Sequence, residues 1–302
     1  MPVLVVGSVA FDTVETPFGK AEEVLGGSAA YFSTSASYFT DVRLVAVVGT
    51  DFPDIHIERL KSRGIDVEGL KKMPGRTFRW QGRYDYDLNQ AHTIKTELNV
   101  FSSFNPELPA AYRSSEYVFL ANIDPELQFK VLEQVENPRL IACDTMNFWI
   151  EGKPDALKRL LKRVEVFVIN EGEARQLAGC ASLVKAAKEI LKQGPKTLII
   201  KRGEYGAVMF NGGSIFSAQA YPLEEIYDPT GAGDSFAGGL VGYIANTGDL
   251  SEKNMRKAIV FGSVMASFNV EAFSLDRLST LTFNEIKARY NEFKRLTHFE
   301  DI

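Results

Sequence analysis

The residues best suited to chemistry lie in one short run, Asp228-Pro229-Thr230-Gly231-Ala232-Gly233-Asp234, which leads into an apolar stretch with small residues at Gly238 and Gly242. Glycines at 231 and 233 let neighbouring backbone N–H groups point into one space without Cβ clashes. At the start of a helix, such N–H groups and the helix dipole make a site for an anion. A carboxylate at position 234 would compete with that anion for the same donors, so it is costly as structure alone. It makes sense as a base that takes a proton from a hydroxyl attacking a phosphoryl group. A plain helix cap is the alternative for Asp234. Two other phosphate motifs fail. No Lys follows Gly233, as GxxxxGKS/T requires, and Gly7-Ser8-Val9-Ala10-Phe11-Asp12 is not a GxGxxG turn.

These residues need a scaffold, and the chain offers one. Short, β-branched, nearly continuous apolar runs recur at Val3–Val6, Leu44–Val48, Val118–Ala121, Leu140–Cys143, Val166–Ile169 and Leu198–Ile200. Such runs suit parallel strands covered on both faces. Amphipathic segments between them, among them Pro125–Val135, Asp155–Val164 and Ser182–Gln193, read as helices, the last with Ser182 as N-cap and Gly194 as its stop. The expected fold is a doubly wound, mostly parallel α/β sheet. Ligands bind beyond the carboxyl ends of strands in such sheets. Asn122, Asp144, Asn170 and Lys201, each just past a run, should therefore line one crevice.

One stretch breaks the alternation. Arg76–Tyr86 alternates aromatic and polar residues, Asp87–Asn89 offers a turn, and Thr93–Phe101 resumes an extended character. This predicts an antiparallel hairpin, to which Asp12–Phe18 could add a strand. A small sheet of about residues 11–18 and 76–101 beside the crevice suggests a lid. Its unpaired edges predict a homodimer formed through it.

Composition narrows the function classes. A net charge of −5 without a basic block disfavours nucleic acid as a partner. Two cysteines, Cys143 and Cys180, with only three histidines make a zinc site improbable and read as reduced thiols of a cytoplasmic protein. No segment suits a membrane span, and Met1–Ala10 reads as a first strand rather than a signal peptide.

The sequence resembles the ribokinase-like (PfkB) carbohydrate kinases along essentially its whole length, residues 1–302. The D-x-T-G-A-G-D run is the specific match. Asp12, Gly26-Gly27, Val48-Gly49-Thr50-Asp51, Asn170-Glu171-Gly172-Glu173 and Lys201-Arg202-Gly203-Glu204-Tyr205-Gly206 match further elements in order. The resemblance implies an ATP- and Mg²⁺-dependent kinase acting on a hydroxymethyl group of a sugar or ribonucleoside. It implies Asp234 as base, with the backbone of Gly231, Ala232 and Gly233 stabilising the transferring phosphoryl group. Asn170 and Glu173 would organise Mg²⁺ through water, Lys201 and Gly203 would lie along the nucleotide, and Asp12, Gly26 and Gly27 would hold substrate hydroxyls. Asp228 and Thr230 would supply oxygens to a monovalent cation such as K⁺. A capping role for Asn170 and Glu173 is equally open.

Three departures bear on these expectations. Tyr31 stands where the family often has Asn, which moves the substrate site away from ribokinase-like sugar recognition. Asp144-Thr145-Met146-Asn147 has altered spacing and no Arg, which affects phosphate contacts. The last long helix lacks an expected Asn near Gly262, which affects the nucleotide pocket. A nucleoside base would need an aromatic shelf, for which Tyr31, Phe78, Trp80 and Phe101 are candidates. A sugar phosphate would need a cation, with Arg76, Arg79, Arg83 and Lys95 available. The competing readings are a catalytically silent binding protein on the same fold, a sugar-phosphate kinase, and a nicotinamide-dependent oxidoreductase.

Overall fold

The computed structural model describes residues 1–298 and 300. In chain order the strands are β1 (Val3–Val6), β2 (Ala10–Thr16), β3 (Gly19–Gly26), β4 (Val42–Gly49), β5 (Ile65–Met73), β6 (Phe78–Tyr84), β7 (Ala91–Glu97), β8 (Tyr117–Leu120), β9 (Leu140–Asp144), β10 (Val166–Asn170), β11 (Thr197–Lys201), β12 (Ala207–Asn211) and β13 (Ser214–Ala218). Nine of them form one sheet in the order β13-β12-β11-β10-β9-β8-β1-β4-β5. The seven from β11 to β5 run parallel, and β12 and β13 close one side antiparallel.

All six apolar runs become strands of this sheet, because each is covered on both faces. In β1, Val3 and Val5 enter the core layer that holds the helix Ala232–Thr247, while Leu4 and Val6 enter the opposite layer. The helices expected at 125–135, 155–164 and 182–193 appear as Pro125–Leu132, Pro154–Leu161 and Leu183–Leu191. Ser182 Oγ accepts from the Lys185 N–H as the expected cap. The small-residue face of Ala232–Thr247 lets the helix Ser28–Ala36 approach closely, since a Cβ at Gly238 would lie 2.7 Å from Ser35 Cβ. Gly262 does the same for the helix Glu252–Asn269, where an added Cβ would lie 2.8 Å from the Phe236 carbonyl oxygen.

The hairpin forms a separate four-stranded sheet, ordered β3-β2-β6-β7. The strand expected from Thr93 to Phe101 is shorter than the sequence suggested. It ends at Glu97, and Asn99–Ser103 coils into a 3₁₀ turn whose Phe101 stacks on Phe78 and Phe104. Strands β3, β5, β12 and β13 had no counterpart in the sequence reading. None of the helices among the described residues is long and apolar enough to cross a membrane.

Candidate active site

The parallel strands end on one side of the sheet, so the residues after them share a crevice. Beside it the helix Ala232–Thr247 begins. Gly231 precedes it with φ +75°, and a Cβ there would overlap the ring of Tyr31. Both constraints demand glycine at 231. Asp234 is the third residue of the helix, not its cap, and no side chain caps this end. Its carboxyl is pushed up to about 6 by burial, against the pull of Lys201.

Lys201 is not a solvated lysine. Its ammonium lies over the turn, so that a Cβ at Gly233 would sit 2.5 Å from Lys201 Nζ. Lys201 ends β11 directly beside Asn170, which ends β10. A half-buried cation thus lies at the turn that carries Asp234, where the Ala232 N–H is taken by the Pro229 carbonyl at 3.1 Å. Chemically, such an arrangement can hold an anion beside a carboxylate able to take up a proton.

Asn170 and Glu173 form a reciprocal capping box. Asn170 Oδ1 accepts from the Glu173 N–H, and Glu173 Oε2 accepts from the Asn170 N–H, each at 2.8 Å. The capping alternative is therefore realised, and Glu173 Oε1 is left over. Burial raises the Glu173 carboxyl, and Lys201 opposes the shift. Asp144, at the end of β9, is 4% exposed, and its Oδ1 has no hydrogen-bond partner. Burial raises it well above the carboxylate range, with Asp234 and Glu173 adding to the shift and Lys201 opposing it. Asn122 is used otherwise, accepting from Trp149 Nε1 at 3.0 Å.

Among the described residues, no three His, Cys, Asp or Glu side chains converge to hold a metal by themselves. The orphaned Asp144 oxygen, with Glu173 and Asp234 nearby, suits a hydrated Mg²⁺ completed by waters and phosphate oxygens. The donor set therefore fits that ion. Gly203 follows on the next loop with φ +55°, and the β6–β7 turn reaches it through Asn89, whose side chain occupies the place of a Cβ at Gly203.

On the other side of Asp234 lies a second acidic group. Asp12, in β2, is 4% exposed. Burial pushes it up to about 7, Asp228 and Asp234 add to this, and the Gly27 N–H opposes it. Its carboxylate fills the space a Cβ would take at Gly26, and Gly27 has φ +93°. Asp12, Gly26 and Gly27 are thus assembled as one unit. Tyr31 is 1% exposed, its ring lies against Gly231, and its hydroxyl has no partner. Its face is not available as a shelf, which corrects that part of the sequence reading. Phe78 and Phe101 stack on each other and are also spent.

Trp80 remains. In β6 it is the register partner of Asp12 in β2, so both project from the same face. Its indole lies across Gly82 and donates to Thr93 Oγ1 at 3.2 Å. Tyr84 projects from that face too, and its hydroxyl accepts from Thr230 Oγ1 at 3.3 Å. The basic residues Arg79 and Arg83 alternate to the opposite face. Arg79 there pairs with Glu23 at 2.6 Å and Asp51 at 2.9 Å.

Asp228, 1% exposed, accepts from the Thr230 N–H at 2.9 Å and the Ser274 N–H at 3.3 Å. The Thr230 carbonyl accepts from Asn269 Nδ2 at 2.8 Å. Both Asp228 carboxylate oxygens and the Thr230 carbonyl, which were expected to face a monovalent cation, thus accept from N–H groups. Asn269 and Tyr84 escaped the sequence reading. Tyr84 had a signal, its place in the aromatic alternation of β6. Asn269 lies 39 residues from Thr230 with no local pattern to mark it.

Known proteins resemble this chain along most of its length. The pattern of the pfkB family of carbohydrate kinases matches residues 3–280. A cytidine kinase of Thermococcus kodakarensis is 33% identical over 250 residues, covering 80% of this chain and 88% of the relative. A nucleoside kinase of Burkholderia thailandensis, solved with inosine, superposes with a TM-score of 0.76 at 20% identity over 96% of this chain and 98% of its own. A putative ribokinase II of E. coli, solved with ATP and Mg²⁺, gives 0.76 at 20% identity with the same coverage. With relatives along almost the whole sequence and a ribokinase-like fold, this chain belongs to the pfkB family and is an ATP-dependent sugar or nucleoside kinase, a phosphotransferase acting on hydroxyl groups.

Proposed function

We propose that the chain phosphorylates the hydroxymethyl group of a ribonucleoside, with ATP as donor and Mg²⁺ as its counter-ion. The observation that carries this reading is the pairing of Asp12 with Trp80 on one face of the small sheet. A carboxylate accepts hydrogen bonds from two vicinal hydroxyls, as a ribose presents. A flat indole beside it offers a stacking surface for a base. The unpartnered Tyr31 hydroxyl supplies a further polar contact. Arg79 and Arg83 lie on the opposite face, which disfavours a sugar phosphate. The likeness to a cytidine kinase and to a nucleoside kinase holding inosine supports the same choice.

In this reading Asp234 accepts the proton of the substrate hydroxyl as its oxygen bonds to the γ-phosphorus and the bond to ADP breaks. A carboxyl held at about 6 is largely ionised at neutral pH yet still a useful base. The N–H groups of Gly231 and Gly233 and the Lys201 ammonium hold the charge of the transferring group, while the Ala232 N–H, expected to join them, is spent on the Pro229 carbonyl. Asn170 and Gly203 flank the nucleotide. Glu173 and Asp144 would hold a hydrated Mg²⁺ through its waters, and the ion would supply charge neutralisation at the phosphates.

The small sheet of β2, β3, β6 and β7 acts as a lid, with its turn resting on Gly203 through Asn89. Six of the seven β7 residues are exposed, and Ile94 among them is 56% exposed. An outer strand this bare suits pairing with a second copy of the chain. Soluble ATP and Mg²⁺ point to the cytoplasm as its place of work. The deciding experiment compares kcat/KM for cytidine, other ribonucleosides, ribose, fructose and fructose 6-phosphate. Ribonucleosides should lead, and a leading sugar or sugar phosphate would overturn the proposal.

A further inference from the structure

The phosphate loop must be braced, because its N–H groups act only if they stay aimed at one point. In this chain the brace is a set of amides. The Thr230 carbonyl, immediately before Gly231, accepts from Asn269 Nδ2 at 2.8 Å. Asn269 is 1% exposed at the end of the helix Glu252–Asn269, and its Oδ1 accepts from Ser235 Oγ at 3.0 Å. One side chain thus grips the loop on both sides of the catalytic turn. Asp228 is held by the N–H groups of Thr230 and Ser274, and the Tyr227 N–H donates to the Val270 carbonyl at 2.8 Å.

A monovalent cation is held best by several oxygens that converge on one point and whose lone pairs are not already taken by donors. Here an N–H already points at each Asp228 carboxylate oxygen and at the Thr230 carbonyl, and Thr230 Oγ1 is engaged with the Tyr84 hydroxyl. An amide N–H carries partial positive charge and satisfies a carbonyl as a cation does, but it repels a cation placed on the same oxygen. The expected ion therefore does not fit the arrangement. We infer that the Asn269 amide takes the place of a monovalent cation in bracing the phosphate loop, so that loop order and turnover in this chain need no K⁺. The inference rests on the reading of Gly231–Asp234 as the phosphoryl-transfer loop, but its first test needs no substrate.

That test is the melting temperature of the free protein in choline chloride, titrated with KCl or NaCl at constant ionic strength. An ion that binds the folded chain raises the melting temperature as its concentration grows. No K⁺-specific rise is expected, and ADP release in the same series should be equally flat. A saturable rise with K⁺, absent with choline, would overturn the inference while leaving the kinase reading intact. The second arm is Asn269→Asp, which replaces the donor with oxygens facing Thr230 O. In choline the variant should lose roughly tenfold in kcat, from a buried carbonyl left without its donor. Added K⁺ should restore both kcat and melting temperature, which a merely structural defect would not allow. Full activity of the variant without K⁺ would refute the brace. If the variant does not fold, the wild-type titration alone decides.

Discussion

Replacing Asp12 by Asn should stabilise the protein and cripple it at once. Burial, reinforced by Asp228 and Asp234, pushes this carboxyl from 3.8 to about 7. Between those values the folded chain keeps the proton while the unfolded chain releases it. Stability then falls by about 1.4 kcal/mol per pH unit as pH rises. The loss is absent below about pH 4, grows through the window and is complete above about pH 7, where it amounts to about 4 kcal/mol. Asn has nearly the same shape, keeps an acceptor for the Gly27 N–H and carries no charge. Its buried NH₂ group costs about 1 kcal/mol if it finds no partner. The variant should therefore be about 3 kcal/mol more stable than wild type near pH 8 and about 1 kcal/mol less stable near pH 4. For a chain of 302 residues the former corresponds to a rise in melting temperature of about 5 °C. Urea unfolding at a series of pH values measures the difference directly. The same substitution removes charge-assisted bonds to the substrate hydroxyls, so kcat/KM should fall roughly 100-fold. A stability difference that does not vary with pH would refute the reasoning, because the buried charge could not then be its source.

The remaining expectations concern the same crevice. Asp234→Asn should keep the fold and nucleotide affinity but lose roughly 10²–10⁴ in kcat. Wild-type kcat/KM should climb with pH through about 6, where the Asp234 carboxyl ionises, and on to about 7, where Asp12 does, and an Asp12→Asn variant with a flat limb below pH 6 would exclude Asp234 as the base. Glu173→Gln preserves the capping box, since Gln serves as well as Glu there, so stability should hold while the Mg²⁺ needed for half-maximal rate rises roughly tenfold. An unchanged Mg²⁺ requirement would leave Glu173 a helix cap only. Trp80→Ala should raise KM for ribonucleosides roughly tenfold through lost stacking and leave KM for free ribose unchanged; equal effects on both would deny the shelf. Ile94→Asp should convert a dimer to a monomer by light scattering, and a monomeric wild type would remove the lid-to-lid contact altogether.

Much of this protein was legible in the chain itself. The parallel strands declare themselves because burial on both faces demands continuous apolar residues, as in Val3–Val6 and Val166–Ile169. The loop at Gly231–Asp234 is legible because positive φ and a carboxylate in an anion site leave few residue choices. The strand-end residues Asp144, Asn170 and Lys201 could be placed on one edge because parallel topology forces it. Other elements were silent. β3 and β5 are half-exposed and charge-rich, with Gly19-Lys20-Ala21-Glu22-Glu23 and Lys71-Lys72 facing water, so no apolar run marks them.

What only the tertiary structure decided are the relations between distant side chains. The sequence offers Lys201 after a strand, but packing brings its ammonium onto Gly233. Tyr31 reads as a binding aromatic until its ring is found against Gly231, and Trp80 becomes a neighbour of Asp12 only through the β2–β6 register. The protonation of Asp12 near neutral pH depends first on its burial and then on Asp228 and Asp234, brought beside it across more than two hundred residues. Local composition specifies which surfaces must be buried. It does not specify which buried polar groups will meet, because those distances are set by the packing of helices on the sheet.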